Sequence, residues 1–460
     1  MSEQGDKRQF AQGLIETGTK AALDRSIPAN IQQAYKLFVS ACYADPTFDG
    51  GFYAVGNANS DMSLLSGAVA TYRRALECEQ IPANRARTLT NLGWRLHGLG
   101  QTQEALAVTQ EALQLDPDIT IAYINLSCIY GTLMQHDQAI EAARKAFELE
   151  PQTPVTEMTL AFALLFAGRF AEGLSHFERR FEYKLHSFLN YPYPKWNGEA
   201  QRTIFLVADQ GIGDTLSFAR FVEAACKRSK YVHACIQPSM MKLFTHAFRR
   251  IPNLNLLPSP CNIPVADHWT TFVSLPYALC LTDKEIIGAP GIELDATPAI
   301  SGWKITERKL HIGIAWSGSP LNEINEQRSI PLRHFAELYR VPGIQLYSFQ
   351  VDDRKKELHE QGYSGVIADM SGYIQDIGDT IALLQHMDLV ITCESAMGHI
   401  AGAANKECWV PYSWLGRDYR ASADGKSPIW YPKHRFFQQG PDARWEPVFE
   451  MIINELRARV

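Results

Sequence analysis

Two kinds of apolar pattern divide this chain. Up to about residue 185, apolar residues recur three and four apart, the period of helices that each bury one face. From 203 onward they gather into short unbroken runs separated by helical stretches, which is the mark of parallel strands covered on both sides. The runs are "TIFLVA" (203–208), "YVHACI" (231–236), short strands near 254–257 and 271–274, "LHIGIAW" (310–316), "IQLYSF" (344–349), "GVIAD" (365–369), "LVITC" (389–393) and "CWVPYSW" (408–414). Between them the spacing predicts helices over 214–228, 240–250, 332–340, 377–387 and from 395, and an amphipathic helix over 446–458 closes the chain. After "FERRFEYK" the stretch "LHSFLNYPYPKWNGEAQR" is aromatic and proline-rich without a helical period, and reads as the junction.

The helical part is periodic. Small residues recur at Ala34, Ala68, Ala105, Ala139 and Gly173, at spacings of 34, 37, 34 and 34. Seven residues behind them runs a second series, Ala41, Ala75, Ala112 and Ala146, which lapses at Arg180. Pro46, Pro117 and Pro151 end their helices, and the longer second repeat stops at Pro82. In "NLGWRLHGLGQTQEALAVTQEALQLDP" the pattern is a helix-turn-helix whose helices approach at Gly93 and Ala105. Good helix propensity alone explains alanines but not a fixed period. These residues resemble the tetratricopeptide repeat over roughly 10–185, most closely in repeats three and four. Such arrays offer a concave surface for a peptide or partner protein, or a face for homo-oligomerisation.

The expected fold class is therefore α plus α/β: an all-α superhelix over 1–185, followed by two Rossmann-like, doubly wound halves over 186–305 and 306–460, with the last helix a candidate to pack back on the first half. Ligands bind such sheets beyond the carboxyl ends of the strands.

Composition narrows the classes. The chain has 460 residues, 46% hydrophobic and 20% charged, with a net charge of −6, which argues against a nucleic-acid partner. No stretch approaches the roughly 18 apolar residues of a membrane span, and "MSEQGDKRQF" lacks the apolar core of a signal peptide. The nine cysteines show no C-x-x-C and no metal-like spacing, and read as buried thiols. The expectation is a cytoplasmic protein with no metal and no cofactor.

Four loops that follow strands carry candidate chemistry. "CESAMGHIAGAA" (393–404) runs into a helix, and small residues there let a phosphate reach the helix N-terminus, with Ser395, Ala396, Gly398 and His399 around it. "WSGSP" offers Ser317, Gly318 and Ser319 as a second cradle, and Arg328 in "QRSIP" as a charge for a departing diphosphate. "FQVDD" (349–353) brings Gln350, and two adjacent acids that are most often solvated. "ADQGIGDT" (208–215) contains G-x-G, but Asp214 stands where a dinucleotide fingerprint wants a neutral residue, so Gln210, Gly211 and Gly213 suit an acceptor hydroxyl better than NAD. Set against these readings, Ser395 is equally an N-cap, His399 equally a packed side chain and Arg328 equally a solvated one.

Taken in order, "WNGE", "GIGDTLSFARF", "IGIAWSGSP", "RSIPL", "DIGDTIALLQHMDLVIT", "ESAMGHIAGAA" and "SPIWYPKHRFFQQ" resemble bacterial glycosyltransferases of the GT-B fold, close to the heptosyltransferase family, over about 196–440. Fusion to tetratricopeptide repeats is also similar to bacterial enzymes proposed to glycosylate proteins such as flagellins and, in architecture only, to the eukaryotic O-GlcNAc transferase. The resemblance implies an inverting, metal-independent transfer from a nucleotide sugar to an acceptor hydroxyl, most naturally on a protein or peptide bound by the repeats. It puts the general base on Asp214, the phosphate-binding helix on Ser395–His399, the diphosphate's cation on Arg328, and nucleoside contacts on Asp379 and Thr380. The family usually has aspartate where this chain has Glu394, and its phosphate-side lysines have no match in "NEINEQ". Three rivals stand beside this reading: a non-catalytic scaffold or nucleotide sensor, a dinucleotide-dependent epimerase or dehydrogenase, and a transferase acting on a polysaccharide or lipid-linked glycan.

Overall fold

The computed structural model describes all residues except 1–2, 25, 80, 183–188, 190, 293–309, 321, 323–324, 417 and 422–427. The expected half-boundaries at 186 and 305/306 lie outside the described residues. The chain forms two compact units, Met1–Ala163 and Leu164–Val460.

The first unit is all helical. Glu3–Ala21 pairs with Pro28–Ala44, Asp49–Asp61 with Leu65–Cys78, Pro82–Gly98 with Thr102–Leu115, and Thr120–Thr132 with His136–Leu149. The periodic small residues are its seams: Ala34, Ala41, Ala68, Ala75, Ala105, Ala112, Ala139 and Ala146 are all buried. Gly93 is needed where two helices meet, because a Cβ there would stand 2.2 Å from Thr109 Oγ1 and 3.3 Å from the Ala105 carbonyl. Pro82 opens the next helix, at a first-turn position where its missing N–H costs nothing.

The second unit begins within the helix Pro154–Phe166, takes in the helix Phe170–Phe177 and the short turn Glu178–Glu182, and continues into two sheets. The strands are β1 (Thr203–Val207), β2 (Tyr231–Ile236), β3 (Leu254–Pro258), β4 (His268–Thr271), β5 (Leu310–Ala315), β6 (Ile344–Ser348), β7 (Ile367–Asp369), β8 (Leu389–Thr392), β9 (Cys408–Tyr412) and β10 (His434–Gln438). All pair in parallel, in the orders β3-β2-β1-β4 and β10-β9-β8-β5-β6-β7. The second order is that of a complete doubly wound sheet, whose direction of winding reverses between β5 and β8; the first reverses between β1 and β4.

The closing helix, Glu446–Arg457, departs from the expectation that it packs back on the first half. Its Val448, Phe449, Ile452 and Leu456 enter the core of the six-stranded sheet with Ile312, Trp316, Phe335 and Trp409. β10 had no counterpart among the expected strands. "HRFFQ" is short, and with buried, exposed and intermediate positions mixed along it, it reads weakly as a strand until β9 lies beside it. Among the described residues no helix is long and apolar enough to cross a membrane.

Candidate functional site

The loops after β5 and β8 flank the reversal point of the six-stranded sheet, and they meet there. A Cβ on Gly318 would lie 3.4 Å from Ser395 Cβ and 3.7 Å from Arg328 Nη2. The helix Ala396–Ala403 starts at Ser395 in extended conformation with no side chain capping it, and of its leading N–H groups that of Gly398 donates to the Ser395 carbonyl at 3.1 Å. Ser395 Oγ turns to Thr392 Oγ1 at 3.3 Å. Around Gly398 a Cβ would meet only Thr392 Cγ2, at 3.9 Å, so that position borders open space. A small cavity of about 40 Å³ lies beside this helix, between Ser395, Gly398, His399, Arg420, Tyr431 and His434. His434 is buried, its Nε2 has no hydrogen-bond partner among the described residues, and burial pushes its imidazole down to about 3.

The "WSGSP" loop differs from the second phosphate cradle expected of it. Gln350 Oε1 accepts from the N–H groups of Trp316 (3.0 Å) and Ser317 (3.1 Å), and Asn325 Oδ1 accepts from that of Gly318 (3.0 Å). The Ser317 hydroxyl sits between Ser329 and Asn325. Ser317 and Gln350 are buried parts of the scaffold that shapes the loop, while Ser319 is exposed. Arg328 also differs: both oxygens of Glu394 accept from its Nη1, at 3.1 and 2.9 Å, so a cation expected to meet a diphosphate already has a carboxylate. Burial raises the Glu394 carboxyl, and Arg328 only partly offsets it.

Asp379 and Thr380, expected to contact a nucleoside, are engaged at the start of a helix. Asp376 caps the helix Ile377–Leu384 by accepting from the Asp379 N–H, and Thr380 donates back to the Asp376 carbonyl. The Asp379 carboxylate takes Lys242 Nζ of the first half at 2.7 Å; that bond and the Gln375 N–H outweigh burial and hold it below its ordinary range. Of the acids of "FQVDD", Asp353 is exposed as expected, whereas Asp352 is half-buried, capping a short turn and accepting from Gln350 Nε2 at 2.9 Å. Among the described residues no group of three potential ligands forms a metal site.

Asp214 comes from the other sheet. The loop after β1 enters the helix Ile212–Phe218 with Gly211 at the cap position, so Asp214 stands in the first turn and is not itself the cap. Its neighbours are not those expected. Gly213 gives its room to His399, because a Cβ there would lie 2.6 Å from the imidazole Cδ2. The Gln210 carbonyl accepts from Gln237. The Asp214 carboxylate accepts from Arg420 Nη1 at 2.8 Å, and Arg420 grips Asp418 through Nε and Nη2 at 2.6 to 3.0 Å. Asp418 Oδ2 faces His399 Nε2 at 3.2 Å, and His399 Nδ1 faces Ser217 Oγ at 2.9 Å. His399, expected as a donor to phosphate, thus has both ring nitrogens turned to protein oxygens. Burial pushes the Asp418 carboxyl up, but the Arg420 charge and the His399 contact more than reverse this and hold it well below the carboxylate range.

Asp418 and Arg420 were missed in the sequence. They sit in "GRDYR", just past the carboxyl end of β9, in the same kind of place as the four loops singled out. Applying the strand-end rule to "CWVPY" would have found them.

The tetratricopeptide repeat family matches residues 86–119 and 121–153. Those residues are tetratricopeptide repeats. Tetratricopeptide repeat protein 28 of Homo sapiens is 36% identical over 78 residues, 17% of this chain and 3% of that protein. The probable UDP-N-acetylglucosamine–peptide N-acetylglucosaminyltransferase SPINDLY of Hordeum vulgare is 30% identical over 121 residues, 25% of this chain and 13% of that protein. The chain thus spans only a small part of the length of either relative. Among solved structures, MamA overlaps 40% of this chain and 99% of its own at 20% identity with a TM-score of 0.33. The Pseudomonas aeruginosa PilF structure overlaps 39% and 78% at 22% identity with a TM-score of 0.34. Overlaps that loose do not bear on function.

Proposed function

We propose that this protein is a glycosyltransferase of GT-B type that moves a sugar, with inversion, from a nucleotide sugar to an acceptor hydroxyl. The observation that carries the reading is a meeting of two ends. The acid of the first sheet's leading loop and the uncapped helix N-terminus at the second sheet's reversal point belong to one network, from Asp214 through Arg420 and Asp418 to His399. A carboxylate on one side and the start of a helix without a side-chain cap on the other suit a reaction in which a proton leaves one reactant and negative charge builds on the other. Asp214 takes the proton of the acceptor; its oxygen attacks the anomeric carbon; the bond to the diphosphate breaks and the electron pair departs with it toward the residues from Ser395 to Gly398. The tetratricopeptide repeats and the partial likeness to a probable N-acetylglucosaminyltransferase support a protein or peptide acceptor.

One observation favours a second reading, a nucleotide-binding scaffold without turnover: Arg420 occupies Asp214 and Glu394 occupies Arg328. Incubating the full-length protein with a panel of nucleotide sugars and measuring released nucleoside diphosphate separates the two. The expected result is release that falls by about 10²–10⁴-fold in Asp214→Asn, with nucleoside diphosphate affinity kept. Binding without release from any donor selects the scaffold, and release unchanged in Asp214→Asn removes the base.

A further inference from the structure

The pair that occupies Asp214 has a geometry that suits holding a base more than blocking it. We propose that Arg420 is the positioning residue of Asp214: it pins one carboxylate oxygen and leaves the other to take the acceptor's proton. The proposal rests on the reading of Asp214 as general base.

Three observations carry it. The first is the division of labour between the two carboxylate oxygens. Oδ1 accepts from Arg420 Nη1 at 2.8 Å. Oδ2 has no hydrogen bond among the described residues, and it lies over Gly211, where a Cβ would stand 3.5 Å away. The bare backbone at 211 keeps that oxygen approachable, and the Asp214 side chain retains about a quarter of its exposure.

The second is how Arg420 is held. Its Nε and Nη2 both go to Asp418, so the planar guanidinium has one edge fixed and presents Nη1 in a set direction. A lysine offers no such edge. Arg420 is buried, and Phe218 and Tyr419 border it at 6.0 and 5.1 Å from their ring centres. Two carboxylates outweigh burial and keep the guanidinium charged.

The third is that the contacts form a ring. From Asp214 they run to Arg420, Asp418 and His399 and return at Ser217, three residues further along the helix that carries Asp214. One turn of helix is thereby gripped at two points, by Arg420 in the loop after β9 and by His399 in the helix Ala396–Ala403. A single ion pair leaves a carboxylate free to swing; a ring that returns to the same helix fixes its orientation. In the transfer step the acceptor O–H bond breaks, the proton goes to Oδ2, the freed oxygen pair forms the bond to the anomeric carbon, and the diphosphate leaves with its own pair. Arg420 stays on Oδ1 throughout.

The test uses the full chain with Arg420→Ala and Arg420→Lys. Loss of alignment of a base costs about 10²-fold in turnover. The expected result is that loss in Arg420→Ala and a smaller one in Arg420→Lys, with affinity for the nucleoside diphosphate product kept within about threefold and partial recovery of Arg420→Ala by millimolar guanidinium. Equal losses of turnover and affinity assign Arg420 to the phosphates and overturn the proposal, as does wild-type turnover in Arg420→Ala. Carbodiimide labelling of Asp214, read by mass spectrometry, reports the pair without any substrate and is expected to rise in both variants. Unchanged labelling overturns the proposal while leaving the glycosyltransferase reading intact. A wild type that releases nothing from any donor, with labelling that responds as expected, overturns the reading and leaves only the pair.

Discussion

The two parallel sheets have reversal points of the same kind, and the chain treats them in opposite ways. At the first, between β1 and β4, the crevice is filled by Arg180. It reaches Asp209 after β1, Thr271 at the end of β4 and Ser274 beyond it, at 2.7 to 3.1 Å, with Glu178 and the Phe177 carbonyl completing its shell. At the second, between β5 and β8, no side chain caps the helix that begins there, and a cavity lies beside it. Both regions hold a buried arginine between two carboxylates. The two shells differ in what they leave exposed. Asp209 is buried with Arg180, whereas the Asp214 side chain keeps about a quarter of its exposure. A buried charge pair by itself says little about function; the geometry of what is left unbonded says more.

Arg180→Met is expected to have the largest effect. It strands Asp209 without its cation and costs about 3–5 kcal/mol, read as a lowered denaturant midpoint. A variant that keeps its stability but loses nucleotide binding would make Arg180 a ligand residue and erase the contrast. Next come two glycines on one helix turn. Gly213→Ala drives a methyl against His399 and is expected to lose about 1–3 kcal/mol, whereas Gly211→Ala, with 3.5 Å to Asp214 Oδ2, keeps its melting temperature. Equal melting temperatures for the two would mean that the helix and His399 do not meet as described.

The open side also carries an acid sensitivity. His434 in the folded protein titrates near 3, against an ordinary value of 6.5. Below pH 6.5 the unfolded chain takes a proton that the folded protein refuses, so stability falls with pH across that window, by at most about 1.4 kcal/mol per pH unit. Denaturation midpoints measured from pH 7 to 4 are expected to fall less steeply in His434→Gln; parallel slopes would remove this histidine as a cause. The smallest effect belongs to Lys242→Ala. Its pair with Asp379 is half exposed, and such pairs are worth about 0–1 kcal/mol and weaken with salt.

The sequence announced periodicity and strand ends well, and partnership poorly. The eight periodic alanines are buried because a period is a local property that shows without knowing the fold. "LHIGIAW" and "LVITC" were legible as strands for the same reason, as were the loops behind them. What stayed hidden was which side chain those loops would spend on each other. Arg420 lies 206 residues from Asp214, and Lys242 137 residues from Asp379. Nothing near either residue in the chain marks its partner. Backbone donors in "WSGSP" looked available because Gln350 and Asn325 consume them only once the strands align. Arg180 did leave a trace: it is the position at which the alanine series lapses, and the lapse marks the point where the chain stops packing helix on helix and begins to serve a sheet.

That position has a consequence for how the chain is made. Arg180 is synthesised 29 residues before Asp209, 91 before Thr271 and 94 before Ser274. The repeats before it can pair helix with helix as they emerge, since each needs only its neighbour. Arg180 has to wait, charged and hydrated, until β4 has been translated. The first sheet is therefore the point in synthesis at which growth by repeats gives way to a single closure, and the residue that closes it is already present when the sheet begins.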